Sequence, residues 1–208
     1  HGSVRTAHQV TPRSDPDISD TTSVPVEFDR LDANIGLSHR FARFNVRLDA
    51  GKNEFEYDGS QNFRDNEETI FRGRLEAIVS PRISLIAQGT VDERDYSNTP
   101  TLSSDGVRVL AGAALNGDLV RGEVLVGQFE RDYNDPTIGK VDGVAGAARL
   151  EWYVTPLTTV TVNARRDADD QIGAVSRLPF ITTEYGARID HELQRNFILW
   201  AGGSVGRR

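Results

Sequence analysis

The chain has 208 residues, of which 38% are hydrophobic and 26% are charged, and its net charge at pH 7 is -7. It is too polar for a helical membrane protein, because no run approaches the roughly 18 apolar residues of a spanning helix. The negative charge disfavours nucleic acid as a partner. The absence of cysteine fits a chain that crosses an oxidising periplasm without disulfide bonds.

The first segment, residues 1–24, has no hydrophobic periodicity and is rich in Ser, Thr, Asp and Pro. It predicts an irregular surface loop or the end of an upstream segment. Residues 25–208 are predicted to be part of one domain. The sequence starts at His1 and stops at Arg208 within a predicted strand, so we expect a piece of a longer polypeptide.

From residue 25 onward, apolar and polar side chains alternate in short segments. In one of them Phe71, Leu75 and Val79 alternate with polar residues that include Arg72 and Glu76. Side chains in a strand point to opposite faces with a period of two. Each segment therefore predicts a β-strand with one apolar face and one charged face.

Tight turns and long acidic connections join these segments alternately. Tight turns are predicted near Arg40, at Ser80-Pro81-Arg82, at Asn116-Gly117-Asp118, at Thr155-Pro156-Leu157 and around Gln194-Arg195. Long connections are predicted over residues 58–67, 92–105, 130–142 and 166–179. Short turns at one rim and long loops at the other are typical of an antiparallel up-and-down transmembrane β-barrel. The sequence predicts about ten strands, so further strands are expected to complete a larger barrel.

A soluble β-sandwich would show a similar alternation. Its apolar face would be a core crowded with Phe, Ile and Leu, whereas Ala, Gly and Val dominate the strand middles here. Aromatic residues cluster toward the strand ends in two belts, as expected at the two headgroup levels of a bilayer. The belt near the short turns comprises Phe41, Phe44, Trp152, Tyr153 and Phe197, and the belt near the long connections comprises Phe55, Tyr57, Phe71, Tyr96, Phe129, Tyr133 and Phe180. The barrel is therefore favoured over the sandwich.

Several short motifs resemble a known family. They are Val26-Glu27-Phe28-Asp29-Arg30-Leu31, the segment from Tyr153 to Val160, the segment from Asp190 to Asn196, and the paired loop openings Arg94-Asp95-Tyr96 and Arg131-Asp132-Tyr133. These stretches look like the outer-membrane β-barrel family called beta-barrel porin 2, and the similarity spans about residues 24 to 208. The resemblance implies a bacterial outer-membrane protein, mostly alphaproteobacterial and often linked with exopolysaccharide or capsule loci. It supplies no catalytic residues.

The sequence offers little for catalysis or metal binding. His39 and His191 lie at short turns far apart in the chain, and Asp190-His191 has no serine nucleophile beside it. The segments Asp167-Ala168-Asp169-Asp170 and Asp132-Tyr133-Asn134-Asp135 carry oxygen ligands of the kind that calcium prefers, without the spacing of a known calcium loop. We therefore predict no enzyme activity, no catalytic or metal-binding residue and no cofactor.

The charged faces of the strands would line the lumen of such a barrel. The predicted lumen-lining residues are Asp32, Arg47, Asp49, Arg72, Arg74, Glu76, Arg108, Arg121, Glu123, Arg149, Glu151, Arg165, Glu184, Arg188 and Asp190. Arginines and carboxylates are nearly balanced on this wall, and we expect them to pair across neighbouring strands.

Two functions stay open for a barrel in the bacterial outer membrane. One is a porin-like pore for small solutes or a pore associated with surface polysaccharide export. The other is a non-conducting scaffold that anchors a surface assembly through its long acidic loops, and a soluble β-sandwich adhesin or lectin is the further alternative. Expected partners are membrane lipid and lipopolysaccharide, with surface polysaccharide or other envelope proteins as candidates, and the sequence leaves oligomer formation open.

Overall fold

The chain folds into one antiparallel β-sheet. A computed structural model describes residues 1–11, 26–172, 177–194 and 197–207. Within these residues, eleven strands pair with their sequence neighbours in the order in which they occur along the chain. The predicted all-β up-and-down meander is therefore confirmed. Of the described residues, none forms a helix with the length and apolar character needed to cross a bilayer.

The strands are long, and two short 3-10 helices lie in the connections between them. The strands are β1 (Gly2–Thr11), β2 (Val26–Phe41), β3 (Phe44–Tyr57), β4 (Asn66–Ser80), β5 (Ile83–Tyr96), β6 (Ser104–Asn116), β7 (Val120–Tyr133), β8 (Lys140–Thr155), β9 (Thr158–Ile172), β10 (Arg177–Gln194) and β11 (Phe197–Arg207). The 3-10 helices are Gly59–Arg64 and Pro100–Leu102. All the tight turns lie at one end of the sheet, which we call the short-turn rim, and the other end is the loop rim.

Two of the tight turns share a Ser/Thr-Pro sequence and the same local hydrogen bonding. The Ser80 hydroxyl oxygen accepts hydrogen bonds from the backbone N–H groups of Arg82 and Ile83, at 3.3 and 3.1 Å. The Thr155 hydroxyl oxygen likewise accepts one from the N–H of Leu157 at 3.2 Å. A hydroxyl before proline thus satisfies backbone donors that the turn leaves free. The predicted turn around Gln194-Arg195 falls partly outside the described residues.

The N-terminal segment corrects one prediction. We expected an irregular segment over residues 1–24, but residues 2–11 form β1, which pairs with β2 from Gly2 opposite Ile35 to Thr11 opposite Val26. The physical reason is that an edge strand gains its main-chain hydrogen bonds whatever its side chains are, so a polar segment pairs without any apolar alternation. Residues 12–24 of the predicted segment lie outside the described part of the chain.

The strands also extend further toward the loop rim than predicted. Strand β5 runs to Tyr96 and β7 to Tyr133, so the described connections after them cover only residues 97–103 and 134–139. Asp92 and Asp167, which we assigned to long acidic loops, lie within β5 and β9. Polar side chains begin where a strand leaves the apolar medium of the membrane. The main-chain hydrogen bonds between strands continue beyond that point, because each strand still has a neighbour on both sides.

The two faces of the sheet differ as the alternation predicts. Large apolar side chains are exposed on one face, which we call the outer face; examples are Leu48, Phe71, Val109, Val126 and Ile189. An exposed apolar surface of this extent is unusual in a soluble monomer and fits contact with lipid hydrocarbon. The opposite, inner face carries the charged residues together with a buried apolar group.

The aromatic prediction is confirmed for four residues of the short-turn belt, whereas Tyr153 lies on the inner face with Glu151 and Arg121. Phe41, Phe44, Trp152 and Phe197 are exposed on the outer face near the short-turn rim, as a membrane girdle requires. At the loop rim, however, Tyr96, Phe129 and Tyr133 are buried, because their strand parity directs them to the inner face. The second belt predicted from those three residues is therefore wrong.

Strands β6 and β7 face each other through two leucine–glycine pairs. Leu110 of β6 lies opposite Gly127 of β7, and Gly112 lies opposite Leu125. A Cβ atom on Gly112 would lie 1.9 Å from the carbonyl oxygen of Val124, and one on Gly127 would lie 1.9 Å from that of Val109. Only glycine permits this backbone approach.

We expect Gly127→Ala to destabilise the protein by about 1 to 3 kcal/mol, because the added methyl group meets the backbone of β6 and cannot be accommodated by a rotamer change. Gly89→Ala is the matched control, since a Cβ there meets nothing within 4 Å. Urea unfolding from lipid vesicles would measure both. Equal stability of the two variants would contradict the close approach of β6 and β7.

The parity of β8 can be tested with two adjacent alanines. Ala148 lies on the outer face between Val124 and Ala164, so Ala148→Arg should cost about 2 to 4 kcal/mol in a membrane. Ala147, one position away, lies on the inner face between Leu125 and Arg165, and Ala147→Arg should be milder. The same unfolding assay applies, and equal tolerance at both positions would count against lipid contact at Ala148.

Candidate functional site

The inner face contains two polar cavities that meet at one residue. The lower cavity, nearer the short-turn rim, has a volume of about 610 Å³, and its charged lining residues are Arg40, Arg47, Asp49, Arg72, Arg74 and Glu76. The upper cavity, nearer the loop rim, has a volume of about 380 Å³, and its charged lining residues are Glu68, Arg72, Asp92, Arg94, Arg108, Arg131, Arg165, Asp167 and Glu184. Arg72 lines both cavities.

Ion pairs that skip strands show how tightly the sheet curves. Arg74 of β4 donates to Glu123 of β7 at 2.5 Å, and Arg108 of β6 donates to Asp167 of β9 at 2.9 Å. Each pair joins strands that have two others between them. Three strand spacings of about 4.8 Å would separate such strands by about 14 Å in a flat sheet, so side-chain contact requires strong inward curvature.

A second set of ion pairs lies within single strands. Arg47 donates to Asp49 at 2.8 Å, and the same spacing joins other Arg residues to an acid two positions later. The further pairs are Arg30 with Asp32, Arg149 with Glu151, Arg165 with Asp167 and Arg188 with Asp190. Residues two apart share a face, so the arginine and the acid of these five Arg-x-Asp/Glu segments reach each other within one strand. The sequence carried this signal, and our expectation of pairing across neighbouring strands missed it.

The upper cavity holds the most deeply buried charges. Asp92 and Asp167 are both buried; Asp92 accepts a hydrogen bond from Arg131, and Asp167 accepts from Arg108 and from Arg165. On β4, Glu68 pairs with Arg94 of β5 at 2.7 Å. Buried carboxylates are stable only with such partners, because the loss of hydration must be compensated.

Three buried polar atoms that line this cavity have no hydrogen-bond partner among the described residues. They are the hydroxyl oxygens of Thr90 and Thr182 and the Nε of Arg108. Polar groups buried without a partner are rare in folded proteins, and each one calls for a ligand or a water molecule. The upper cavity is thus built to receive something polar.

An apolar cluster lies beside the upper cavity on the same inner face. It consists of Ile86, Leu110, Leu125, Phe129 and Ala145, and Ile181 of β10 packs against it. The sequence predicted only charges for this face. A sign of this cluster was present in the sequence, because Leu110 and Leu125 are apolar residues at polar-face positions of their strands. Strand periodicity alone does not explain why apolar residues occupy those positions.

The connections at the loop rim are joined into one layer above β4 to β8. The Asn98 amide donates to the Asn62 carbonyl oxygen at 2.9 Å, and the Asn134 backbone N–H donates to the Ser103 carbonyl oxygen at 3.0 Å. Leu102 and Ser103 within these connections, and Ser104 at the start of β6, are buried. We call residues 58–65, 97–103 and 134–139 the loop layer.

The predicted lumen-lining residues all have inner-face parity in the strand registers. The upper cavity brings together Arg72, Arg108, Arg165 and Glu184, and the lower cavity brings together Arg47, Asp49, Arg72, Arg74 and Glu76. Those outside these two cavities are Asp32, Arg121, Glu123, Arg149, Glu151, Arg188 and Asp190. The prediction missed Glu68, Thr90, Asp92, Arg94, Arg131 and Asp167.

The residues weighed for catalysis or metal binding take part in local contacts. The His191 ring lies 2.8 Å from the Thr158 hydroxyl, and the His39 ring meets the edge of Phe41. In the connection after β7, hydrogen bonds from the Thr137 hydroxyl and N–H hold the pKa of Asp135 below its ordinary value. Among the described residues, no three His, Cys, Asp or Glu side chains are grouped to hold a metal ion.

The burial of Asp167 can be tested with an asparagine that keeps its shape and removes its charge. Asp167→Asn should destabilise the protein by about 3 kcal/mol, because Arg108 and Arg165 lose the carboxylate they share. Asp190→Asn is the control: its pair with Arg188 is as short, but the Asp190 side chain is 28% exposed against 7% for Asp167. Chemical unfolding should find little change in the control, and equal losses would contradict the argument from burial.

Comparisons with known proteins agree with this architecture. The family model described as "Putative beta-barrel porin 2" matches residues 1–208, and the chain belongs to this family. No curated protein matches the chain.

Solved structures of outer-membrane barrels are similar at low sequence identity. The copper transporter OprC is 12% identical with a TM-score of 0.50, over 97% of this chain and 40% of that chain. The ferric yersiniabactin uptake receptor FyuA from Yersinia pestis is 16% identical with a TM-score of 0.46, over 91% and 37%. The translocator domain of the autotransporter NalP from Neisseria meningitidis is 11% identical with a TM-score of 0.42, over 100% and 81%. The chain thus spans less than two thirds of the first two structures. The family match and the fold shared with the first structure support an outer-membrane β-barrel.

Proposed function

We propose that this member of the beta-barrel porin 2 family forms part of an outer-membrane pore for small hydrophilic solutes. One observation carries the proposal: an apolar outer face surrounds an inner face where two polar cavities meet at Arg72. Together the cavities extend from the Arg40 region of β2 to Glu68 and Arg94, near the loop rim. A solute that stays hydrated needs such a polar path through an apolar membrane. Catalysis is no part of this proposal.

The charges of the predicted lumen set would give this path weak selectivity. Arginines and carboxylates alternate along it, and many are neutralised by ion pairs within the strands, such as Arg47 with Asp49 and Arg149 with Glu151. Paired charges create local fields across the lumen and leave little net field along it. Selectivity for ions of one sign would require a row of side chains of the opposite charge along the lumen, without ion-pair partners.

Orientation follows from the asymmetry of the two rims. Bacterial barrels keep short turns in the periplasm and longer loops outside the cell, so the loop layer would be extracellular and the Pro81 and Pro156 turns periplasmic. The outer face would contact membrane lipid, and the loop rim would contact lipopolysaccharide. Exposed carboxylates there, including Asp58 in the connection after β3 and Glu93 and Asp95 at outward positions of β5, would make the loop rim around the outer mouth acidic.

A non-conducting scaffold is the second candidate, and two observations favour it. The apolar cluster around Leu110 and Leu125 occupies inner-face volume, and the Arg74–Glu123 pair crosses the lower part of the curve. Both narrow the space within the described strands. Such a barrel would anchor a surface assembly, for instance one that handles surface polysaccharide, through its loop layer.

Conductance of the purified full-length protein in planar bilayers distinguishes the two functions. We expect ion-conducting channels with a modest cation preference at low salt, because the acidic outer mouth attracts cations. This preference should vanish near 1 M salt, where the Debye length shrinks to about 3 Å. The double variant Asp58→Asn with Asp95→Asn should weaken it, while Asp118→Asn at the short-turn rim, whose partner is Arg82, should change it less. A complete lack of conductance would support the scaffold, and strong anion selectivity would contradict the pairing of the arginines.

A further inference from the structure

The upper cavity contains a row of three side chains that cross adjacent strands in direct register. Arg72 of β4 lies opposite Thr90 of β5, and Thr90 lies opposite Arg108 of β6. All three line the cavity. Neighbouring strands are about 4.8 Å apart, so the two arginines flank the Thr90 hydroxyl on either side.

Hydrogen-bonding capacity in this row is not used by the protein. Thr90 is only 4% exposed, yet its hydroxyl has no hydrogen-bond partner among the described residues. The Nε atom of Arg108 is likewise buried without a hydrogen-bond partner among them. The rest of the Arg108 guanidinium reaches Asp167 through one terminal nitrogen. Arg72 makes no ion pair with any side chain in the described part of the chain. The row therefore presents donors without matching acceptors.

The carboxylates around the cavity are largely committed to other arginines. Asp92 pairs with Arg131, Glu68 with Arg94, and Asp167 with Arg108 and Arg165. Glu184, the remaining carboxylate of the lining, lies opposite Arg165 in the register of β9 and β10. Five arginines face four carboxylates in the lining, and the excess positive charge is at Arg72.

Guanidinium groups flanking a hydroxyl recognise oxyanions. The planar fork of arginine matches the paired oxygens of a carboxylate or a phosphate, and hydrogen bonds to a charged acceptor are stronger than neutral ones. The cavity volume of about 380 Å³ is at the lower end of the range for small-molecule sites. The two flanking arginines repel a cation, and chloride lacks the paired oxygens that the planar fork binds.

We propose that Arg72, Thr90 and Arg108 form a binding site in the lumen for the carboxylate or phosphate group of a small solute. The site deepens the proposed pore function, on which it rests for its access route, because Arg72 lies where the two cavities meet. A solute that enters through either cavity reaches the same arginine.

Thr90→Val is the sharpest test, since it keeps the side-chain shape and removes only the hydroxyl. Without a ligand, the substitution should leave stability unchanged or raise it, because an unsatisfied buried hydroxyl is replaced by a methyl group. With a ligand, it should weaken binding by about tenfold, the effect of one lost hydrogen bond to a charged group. If Thr90 had only a structural role, the substitution would not combine an unchanged stability with a weakened binding.

Calorimetric titration of the purified full-length protein with inorganic phosphate and, separately, with gluconate measures the binding. We expect saturable binding of at least one of them, weakened about tenfold or more by Arg72→Gln and by Thr90→Val. Arg43→Gln, which removes the same charge in the turn after β2, should bind as the unmodified protein does. The two titrations show which oxyanion the site prefers, and chloride at equal ionic strength should not compete.

Three results would overturn the site: no saturable binding of either oxyanion, normal binding by Thr90→Val, or equal weakening by Arg43→Gln. The first would mean that water fills the cavity, and the last would mean that only net charge matters. Conductance in potassium chloride separates this inference from the pore. Ion-conducting channels without oxyanion binding would contradict the proposed site alone. Oxyanion binding without channels would support the site and contradict the pore.

Discussion

The close approach of β6 and β7 at Gly112 and Gly127 is the constraint on which the inner face depends. With a Cβ on either glycine the two strands would have to separate, because neither would fit beside the carbonyl oxygens of the neighbouring strand. Leu110 and Leu125, which lie opposite these glycines, are buried against Ile86 and Phe129 where the sheet curves inward. The same curvature brings β4 within reach of β7 and β6 within reach of β9. The ion pairs across the curve, and the cavities between them, follow from it.

The arginines of the inner face fall into groups that differ in whether they are available to a solute. Those that pair with an acid two positions later, such as Arg47 and Arg188, are neutralised within their own strand, so they contribute wall polarity with little net charge. Those that cross the curve, such as Arg74 and Arg131, hold strands together and are unavailable to solutes. Arg72 belongs to neither group, although it lies on the same strand as Arg74. The chemistry open to a passing solute is therefore concentrated at a few positions of a wall that is charged throughout.

The sequence predicted the parity of the strands well, since a period of two leaves one choice per strand once one face must be apolar. Phe71 and Val109 lie outward and Arg72 and Arg108 inward as expected. It could not predict β1, because an edge strand pairs through its backbone and needs no side-chain pattern. Nor could it predict the Arg74–Glu123 contact. Parity assigns both residues to one face, but only the curvature of the whole sheet decides which residues on that face meet.

The inward direction of Tyr96 and Tyr133 has the same origin. Both are aromatic residues near strand ends, and composition alone assigns them to a membrane belt, whereas strand parity directs them beneath the loop layer. Tyr96 is an odd number of residues from the outward-facing Val91 on β5, and Tyr133 from the outward-facing Val126 on β7, so counting along each strand places both tyrosines on the inner face. The length of the strands was missed for a different reason, because the polar ends of β5 and β9 remain paired to their neighbours after the apolar pattern has ended.

The loop layer has a consequence for how this surface tolerates change. Loop tips of β-barrels usually accept inserted peptides, because each tip is independent of the others. Here Asn98, in the connection after β5, donates hydrogen bonds to Asn62 and Asp65 in the connection after β3. The N–H of Asn134, in the connection after β7, donates to Ser103 in the connection after β5. An epitope inserted after Asn98 would separate hydrogen bonds made by two connections at once. Peptide display on this protein would therefore need a position away from these contacts.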